Sequence, residues 1–258
     1  MNDPYLRPMK ATEIIGNAFR VYREHFALLV MVALVPHLVL LALDTVLLLP
    51  GPPAPGVMMI LGLATLVTNG IALAAIAVAI CRSIVGQELG FARTYAFTFR
   101  ENVLGVVVAV LTPTLLISAL AVPALLTGAM PVLLPLLVLV ALAVGALLAP
   151  TIPIIIVEHK GAFEAMARSI VMMRRELLKG VAVFSFFIAI TGLLPLFLFW
   201  IQAGIGMGPF TPLLSIIIAS VTLPLGFAAN VLLYFSLRAE GGFGMEQLQA
   251  ELERALPP

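Results

Sequence analysis

The chain has 258 residues, 62% of them hydrophobic and only 10% charged, with a formal net charge of +1. Soluble domains carry about 25% charged residues, and a soluble core of this size could not hide so much apolar surface. Composition therefore excludes a soluble globular domain and points to one integral-membrane domain over 1–258, all-α, with no nucleic-acid partner expected.

A helical span needs roughly 20 apolar residues. Six candidates follow one another: Phe26–Leu48, Val57–Ile80, Val103–Leu126, Val132–Val157, Gly180–Ile201 and Thr211–Tyr234. All fourteen Lys and Arg residues fall in four short stretches, Arg7 to Arg23, Arg82 to Arg100, Lys160 to Lys179 and Arg238 to Arg254. Cytosolic loops hold the Lys/Arg excess of membrane proteins. The distribution thus predicts a polytopic bundle of six transmembrane helices in the cytoplasmic (inner) membrane, both termini cytosolic. The far-side connections, Leu49–Gly56, Thr127–Pro131 and Gln202–Phe210, contain no charged residue, and their shortness makes each flanking pair an antiparallel hairpin. Internal prolines (Pro36, Pro113, Pro123, Pro150, Pro153, Pro195 and Pro224) predict kinked helices, with the strongest bend at Pro150–Pro153. The first 25 residues carry charge throughout and lack an apolar h-region, so no signal peptide is expected. Cys81, the only cysteine, falls at a cytosolic helix end, where palmitoylation is conceivable.

The basic stretches carry helical periodicity of their own. Glu13, Asn17, Arg20 and Glu24 mark one side of Thr12–His25, and Ile14, Ile15, Ala18, Phe19 and Tyr22 the other. Phe91, Ala92, Tyr95, Ala96 and Phe99 form a similar apolar face, as do Phe163, Met166, Ala167, Ile170 and Val171. These predict cytosolic amphipathic helices lying in the interface or tucked into the protein. A fourth, over 243–256, has an apolar stripe of Met245, Leu248, Leu252 and Leu256 among glutamates, and is expected to pack against the basic units.

The units resemble one another. Arg23-Glu24, Arg100-Glu101 and Arg175-Glu176 each stand between an amphipathic helix and the following span, at intervals of 77 and 75 residues. Ala92-Arg93-Thr94 and Ala167-Arg168-Ser169 repeat at 75, as do Gly86 and Gly161, and Pro36 and Pro113 each follow their arginine by 13. One amphipathic helix plus one hairpin, used three times over 12–86, 87–161 and 162–241, accounts for this. Two spans per unit keep the orientation, so the repeats are parallel rather than inverted.

Three runs carry a family resemblance: Glu13 to Arg23 (EIIGNAFRVYR), Val157 to Ser169 (VEHKGAFEAMARS) and Leu233 to Gly241 (LYFSLRAEG). Together they resemble the membrane domain fused to some glycerophosphoryl diester phosphodiesterases and found alone in many prokaryotic multi-pass membrane proteins. In that family the last motif usually reads Tyr-Asp-Leu-Arg, whereas Ser236 stands at the acidic position here. The resemblance implies no catalytic residue, since the fused enzymes keep their active site in a separate soluble domain that this sequence does not contain.

Few residues suggest chemistry. His37, Asp44 and Asn69 are the polar residues worth singling out within the spans, and intramembrane ionisable groups are functional candidates. His37 and Asp44 share a helix face about 10 Å apart along the axis, so a ligand or proton path competes with a satisfied histidine and an interfacial aspartate. Glu158 beside His159 hints at a metal, but adjacent helical residues diverge and no further His or Cys completes a zinc site. No cofactor is implied, because no phosphate loop, nucleophile elbow or HExxH occurs. The Arg-Glu pairs Arg23/Glu24, Arg100/Glu101 and Arg175/Glu176 read either as headgroup anchors or as ion pairs between units. Two functions survive: a non-catalytic scaffold or lipid-interacting module that engages membrane lipids and another membrane or peripheral protein, and a small-solute transporter or channel. A polar central cavity lined by His37 and Asn69 favours transport, and a filled apolar centre favours the module.

Overall fold

A computed structural model describes residues 5–48, 54–87, 90–101, 103–126, 130–205, 211–241 and 245–254, and all regular structure among them is helical. In chain order the helices are α1 (Ala11–Glu24), α2 (Phe26–Leu48), α3 (Pro55–Ile84), α4 (Phe91–Glu101), α5 (Val103–Leu126), α6 (Met130–Leu148), α7 (Thr151–Glu158), α8 (Ala162–Met173), α9 (Leu177–Ile188), α10 (Leu194–Ile205), α11 (Thr211–Glu240) and α12 (Met245–Arg254). A π-helical turn over Ala189–Leu193 joins α9 to α10. Five stretches are long and apolar enough to cross a membrane, and a sixth is gained if α4 and α5, bent by 74° at their junction, are taken together. The architecture is that of a multi-pass helical membrane bundle. Most of the predicted far-side connections fall outside the described residues.

Each predicted span corresponds to an observed helix or helix pair, because a long apolar run in lipid must satisfy its backbone groups internally. The fourth span breaks at Ala149–Pro150, where Pro150 and Pro153 remove the amides that the carbonyls of Ala146 and Ala149 would otherwise accept. In the fifth span the π turn lies just ahead of Pro195. Such turns absorb a local misfit in the hydrogen-bond ladder.

Helices α3 and α11 form the centre. They touch each other, and their inner faces carry a run of buried small and branched residues from Ala74 to Ile80 and from Phe227 to Phe235. The three short helices that follow charged stretches sit on neighbouring spans: α1 packs on α11, α4 on α3, and α8 on α6 and α7. Spans α2, α5 and α9 pack in the same sense, on α11, α3 and α6 respectively.

The short helices are rotated from their predicted faces. In α1 the inward stripe is Ile14, Asn17, Ala18 and Val21, whereas Phe19, assigned to the apolar face, is exposed. Asn17, assigned to the polar face, is buried and donates from Nδ2 to the Met9 sulfur at 3.2 Å. In α4 the buried residues are Thr94 and Thr98 while Phe99 faces out, and in α8 they are Ala162, Ala165, Met166, Ser169 and Met173 while Phe163 is 71% exposed. The physical reason is the solvent. In lipid, large apolar side chains need no shelter, and small residues go inward because they let helices approach closely. Cys81 is fully buried in α3, so the thiol considered for palmitoylation is covered.

Candidate functional site

The helix ends α7, α8, α11 and α12 bring four charged side chains together. Helix α7 stops at Glu158 because His159 takes a left-handed conformation with φ of 53°, the usual way to end a helix and reverse the chain. Gly161 then caps α8, whose Arg168 folds back to form an ion pair with Glu158. From α11, the Arg238 guanidinium donates to Glu158 Oε1 at 2.7 Å and to the Tyr234 hydroxyl at 2.8 Å, while the Tyr234 hydroxyl also donates to Glu158 Oε1 at 3.3 Å. The other guanidinium nitrogen reaches Glu251 of α12 at 3.1 Å. The Glu158 side chain is only 7% exposed.

A buried carboxylate at a helix C-terminus is unfavourable twice over, from desolvation and from the negative end of the dipole. Two guanidiniums and a phenol offset both. The cluster has two acids and two arginines, each engaged, so it works as a latch across four helices rather than as an acid–base pair. Glu158 and Arg238 lie in two of the three runs that carry the family resemblance. The third run enters through its neighbour Met9, whose amide donates to Ser236 Oγ at 2.9 Å and whose carbonyl accepts from that same hydroxyl at 3.3 Å. A carboxylate at this position could accept but not donate, so serine suits both backbone groups.

The residues singled out by sequence are placed differently. His37 is buried in α2, with Nδ1 at 2.6 Å from the Ala33 carbonyl one turn earlier, a local partner. Asp44 is part-exposed toward the far end of α2, and Asn69 is half-buried in α3. Among the described residues no hydrogen bond joins these three. Arg23, Glu24, Arg100 and Arg175 are exposed. Among the described residues no ion pair links an arginine of this set to Glu24 or Glu176. Glu176 instead meets Lys179 at 3.3 Å, and Lys179 meets Glu240 of α11 at 2.7 Å. The side chain of Glu101 lies outside the described residues.

About 10 Å deeper than the latch, one helical step of seven residues from Glu158 to Thr151, a cavity of about 470 Å³ opens between α5, α6, α7, α9 and α11. Its wall is apolar except for Thr114, Thr151 and Asn230, and no charged side chain lines it. Thr151 and Asn230 are 3% and 2% exposed, and among the described residues Thr151 Oγ1 and Asn230 Oδ1 have no hydrogen-bond partner. Gly145 of α6 shapes one side: a Cβ there would lie 2.0 Å from Cε1 of Phe184, so only glycine lets the Phe184 ring of α9 seat against α6. The cavity is open on one side rather than sealed, and its walls suit apolar groups. Neither His37 nor Asn69 lines this cavity. Sequence reading missed Thr151 and Asn230; the available signal was the doublet of prolines around Thr151, which forces a helix break at membrane depth, and such breaks are tolerated where they line a cavity.

No family model, curated protein or solved structure matches the chain.

Proposed function

We propose that this chain is a non-catalytic integral membrane module of the cytoplasmic membrane, built of three parallel units, that engages lipid at the cytosolic leaflet and serves there as a scaffold for a membrane or peripheral protein. The observation that carries the reading is the cavity between α5, α6 and α9: it is apolar and has no charged lining residue. A solute path through a bilayer needs polar groups to replace hydration, whereas a lipid-interacting module does not.

The three-unit arrangement is supported by the order of contacts. Unit one is α1–α3, unit two α4–α7 and unit three α8–α11. The short helix of each packs on the second span of the unit before it, and α1 closes the circle on α11. The first spans α2, α5 and α9 follow the same rotation. Lipid engagement is supported by the exposed arginines Arg20, Arg23, Arg93, Arg100, Arg174 and Arg175, with Phe19, Phe99 and Phe163 exposed on the same short helices. Each juxtamembrane Lys or Arg contributes about 1 kcal/mol of attraction to an anionic leaflet. The resemblance to the phosphodiesterase membrane domain points the same way, since two of its three motifs supply latch residues.

The test is reconstitution into vesicles of mixed neutral and anionic phospholipid. Expected are proton, ion and small-solute fluxes equal to those of protein-free vesicles, with anionic lipid enriched in the annulus and lost when Arg23, Arg100 and Arg175 are changed to Gln. Dissipation of a solute or ion gradient by the protein would overturn the reading in favour of transport.

A further inference from the structure

Where α1 ends and α2 begins, the chain turns at His25. An open pocket of about 500 Å³ lies in this elbow, lined by Gly16, Phe19, Arg20, Tyr22, Arg23 and Phe26. Contacts elsewhere fix its walls. The Phe19 ring packs on Phe186 of α9 with 5.8 Å between centroids, and Tyr22 meets Phe26 edge to face at 5.3 Å. The Tyr22 hydroxyl is committed to the Val221 carbonyl at 2.9 Å. The charged groups of the pocket are therefore two guanidiniums. Arg20 and Arg23 stand three residues apart on one helix, so their stems start about 5–6 Å from each other. Among the described residues no carboxylate lines the pocket. Glu24 stands outside it and accepts from the Tyr5 hydroxyl at 3.4 Å, a hydroxyl that Arg20 also neighbours.

The pocket straddles the first residue of a span. Phe26 opens the apolar stretch long enough to cross a membrane and is 47% exposed, while both arginines are exposed on the short helix before it. A Cβ on Gly16 would meet nothing within 4 Å, so the space beside the arginines is open. This combination occurs at one corner only. At the repeat intervals, Arg20 corresponds to Phe97 and Met172, and Gly16 to Arg93 and Arg168. Cations and rings side by side suit a ligand that is anionic at one end and apolar at the other. The planar forks of paired guanidiniums match phosphate oxygens. At roughly 30 Å³ for a water-sized group, the pocket has room for a phosphate and the glycerol it esterifies. From this geometry we propose that the elbow binds the phosphate of one anionic phospholipid between Arg20 and Arg23, with its glycerol and first methylenes against Phe19 and Phe26. This deepens, and rests on, the reading of the bundle as a lipid-interacting module at the cytosolic leaflet. It adds a shaped site at the first corner to the diffuse attraction of the others.

The experiment uses the full chain in a neutral detergent, with phosphatidylglycerol carrying a diazirine early in one acyl chain as photoprobe. Labelling is expected between Phe19 and Leu29, with unlabelled phosphatidylglycerol competing at least about tenfold better than phosphatidylcholine, hexadecanoate or inorganic phosphate. Arg20→Gln and Arg23→Gln should each lower labelling about fivefold or more. Gly16→Leu should do the same although it keeps both charges, because the added side chain occupies the pocket. That position is exposed, and leucine favours a helix over glycine, so an unchanged or raised melting temperature checks the fold. Lys10→Gln, which removes a charge outside the pocket at the same end of the bundle, should leave labelling unchanged. Full labelling in Gly16→Leu, a loss in Lys10→Gln equal to that in Arg23→Gln, or even labelling of all three corners would overturn the site. Competition by inorganic phosphate or hexadecanoate as strong as by phosphatidylglycerol would overturn the assignment to a lipid phosphate. The two readings fail separately: full labelling in Gly16→Leu with intact anionic-lipid enrichment removes the site alone, and gradient dissipation by a protein that still labels at the elbow removes the module reading alone.

Discussion

The Tyr95 hydroxyl donates to the carbonyl of Val32, the one group in α2 that Pro36 deprives of its intrahelical donor. A tyrosine of one short helix thus completes the backbone of a span 63 residues away. Ser169 of α8 donates to the Leu147 carbonyl at 2.7 Å beside the break between α6 and α7. Tyr22 donates to the Val221 carbonyl of α11 at 2.9 Å, three residues before Pro224. Of the three, only the Val32 carbonyl is the one its proline deprives; the other two hydroxyls reach carbonyls next to a proline-deprived one.

Tyr95→Phe should therefore cost about 1 kcal/mol, within the range of 1–3 for an orphaned buried acceptor and tempered by the weaker values typical of membrane interiors. Pro36→Ala restores an amide for Val32, so adding it should make Tyr95→Phe nearly neutral. Thermal unfolding of the four proteins in one detergent measures the coupling. Additive effects would show that the hydroxyl does not serve this carbonyl.

The Glu158 latch gives a larger signal. Glu158→Ala leaves Arg238 and Arg168 without their shared carboxylate and is expected to destabilise by about 3–5 kcal/mol, the usual outcome of breaking a buried pair. Glu158→Gln combined with Arg238→Gln should recover much of that loss. If Glu158→Ala melts within a degree or two of the parent, the latch contributes nothing to stability.

At the N-terminus, Glu13 accepts from the Lys10 amide and from Arg7, each at 2.9 Å. The Lys10 amide first, and the Arg7 guanidinium second, hold its carboxyl below the ordinary value of 4.5. A depressed native value stabilises the fold above that ordinary value, and the contribution is lost as pH falls through the native one. The protection factor of the first turn of α1, its exchange rate relative to the intrinsic rate at each pH, should therefore be high at neutral pH and fall as acid protonates Glu13, with Glu13→Gln showing the low protection throughout. An α1 protected equally at pH 3 and pH 7 would remove Glu13 from the cap.

Topology is open to labelling because the native thiol is buried. Cysteines at Ala54 and Gly204, both exposed, should react with an impermeant maleimide in intact cells. Cysteines at Gln87 and Gly161 should react only after lysis. The opposite pattern would invert the proposed orientation.

The spans were legible because twenty apolar residues in a row have few alternatives, and the helix break at Ala149–Pro150 because proline acts locally; the strongest bend expected there is found instead between α4 and α5, at 74°. The inward faces of α1, α4 and α8 were not. Amphipathicity ranks residues by aversion to water, whereas Thr94 and Ala165 are inside because they are small. The pairing of Glu158 with Arg238 spans 80 residues, beyond any periodicity, and was visible only as two separate motifs. His37, chosen for its rarity, takes a partner on its own helix, an outcome no spacing rule distinguishes from a site.

The contact of α1 with α11 has a consequence for biogenesis. Ile14, Ala18 and Val21 are buried on a helix that leaves the ribosome more than 200 residues before Met9 can meet Ser236, its partner 227 positions downstream. Until the last span inserts, the first helix has no seat, and the emerging chain is an open arc whose two ends wait for each other. The spans inserted early pack on one another, α3 against α4 and α5, but the seam between beginning and end must wait for α11. Damage to either side of that seam would let every span insert and still leave the bundle unclosed.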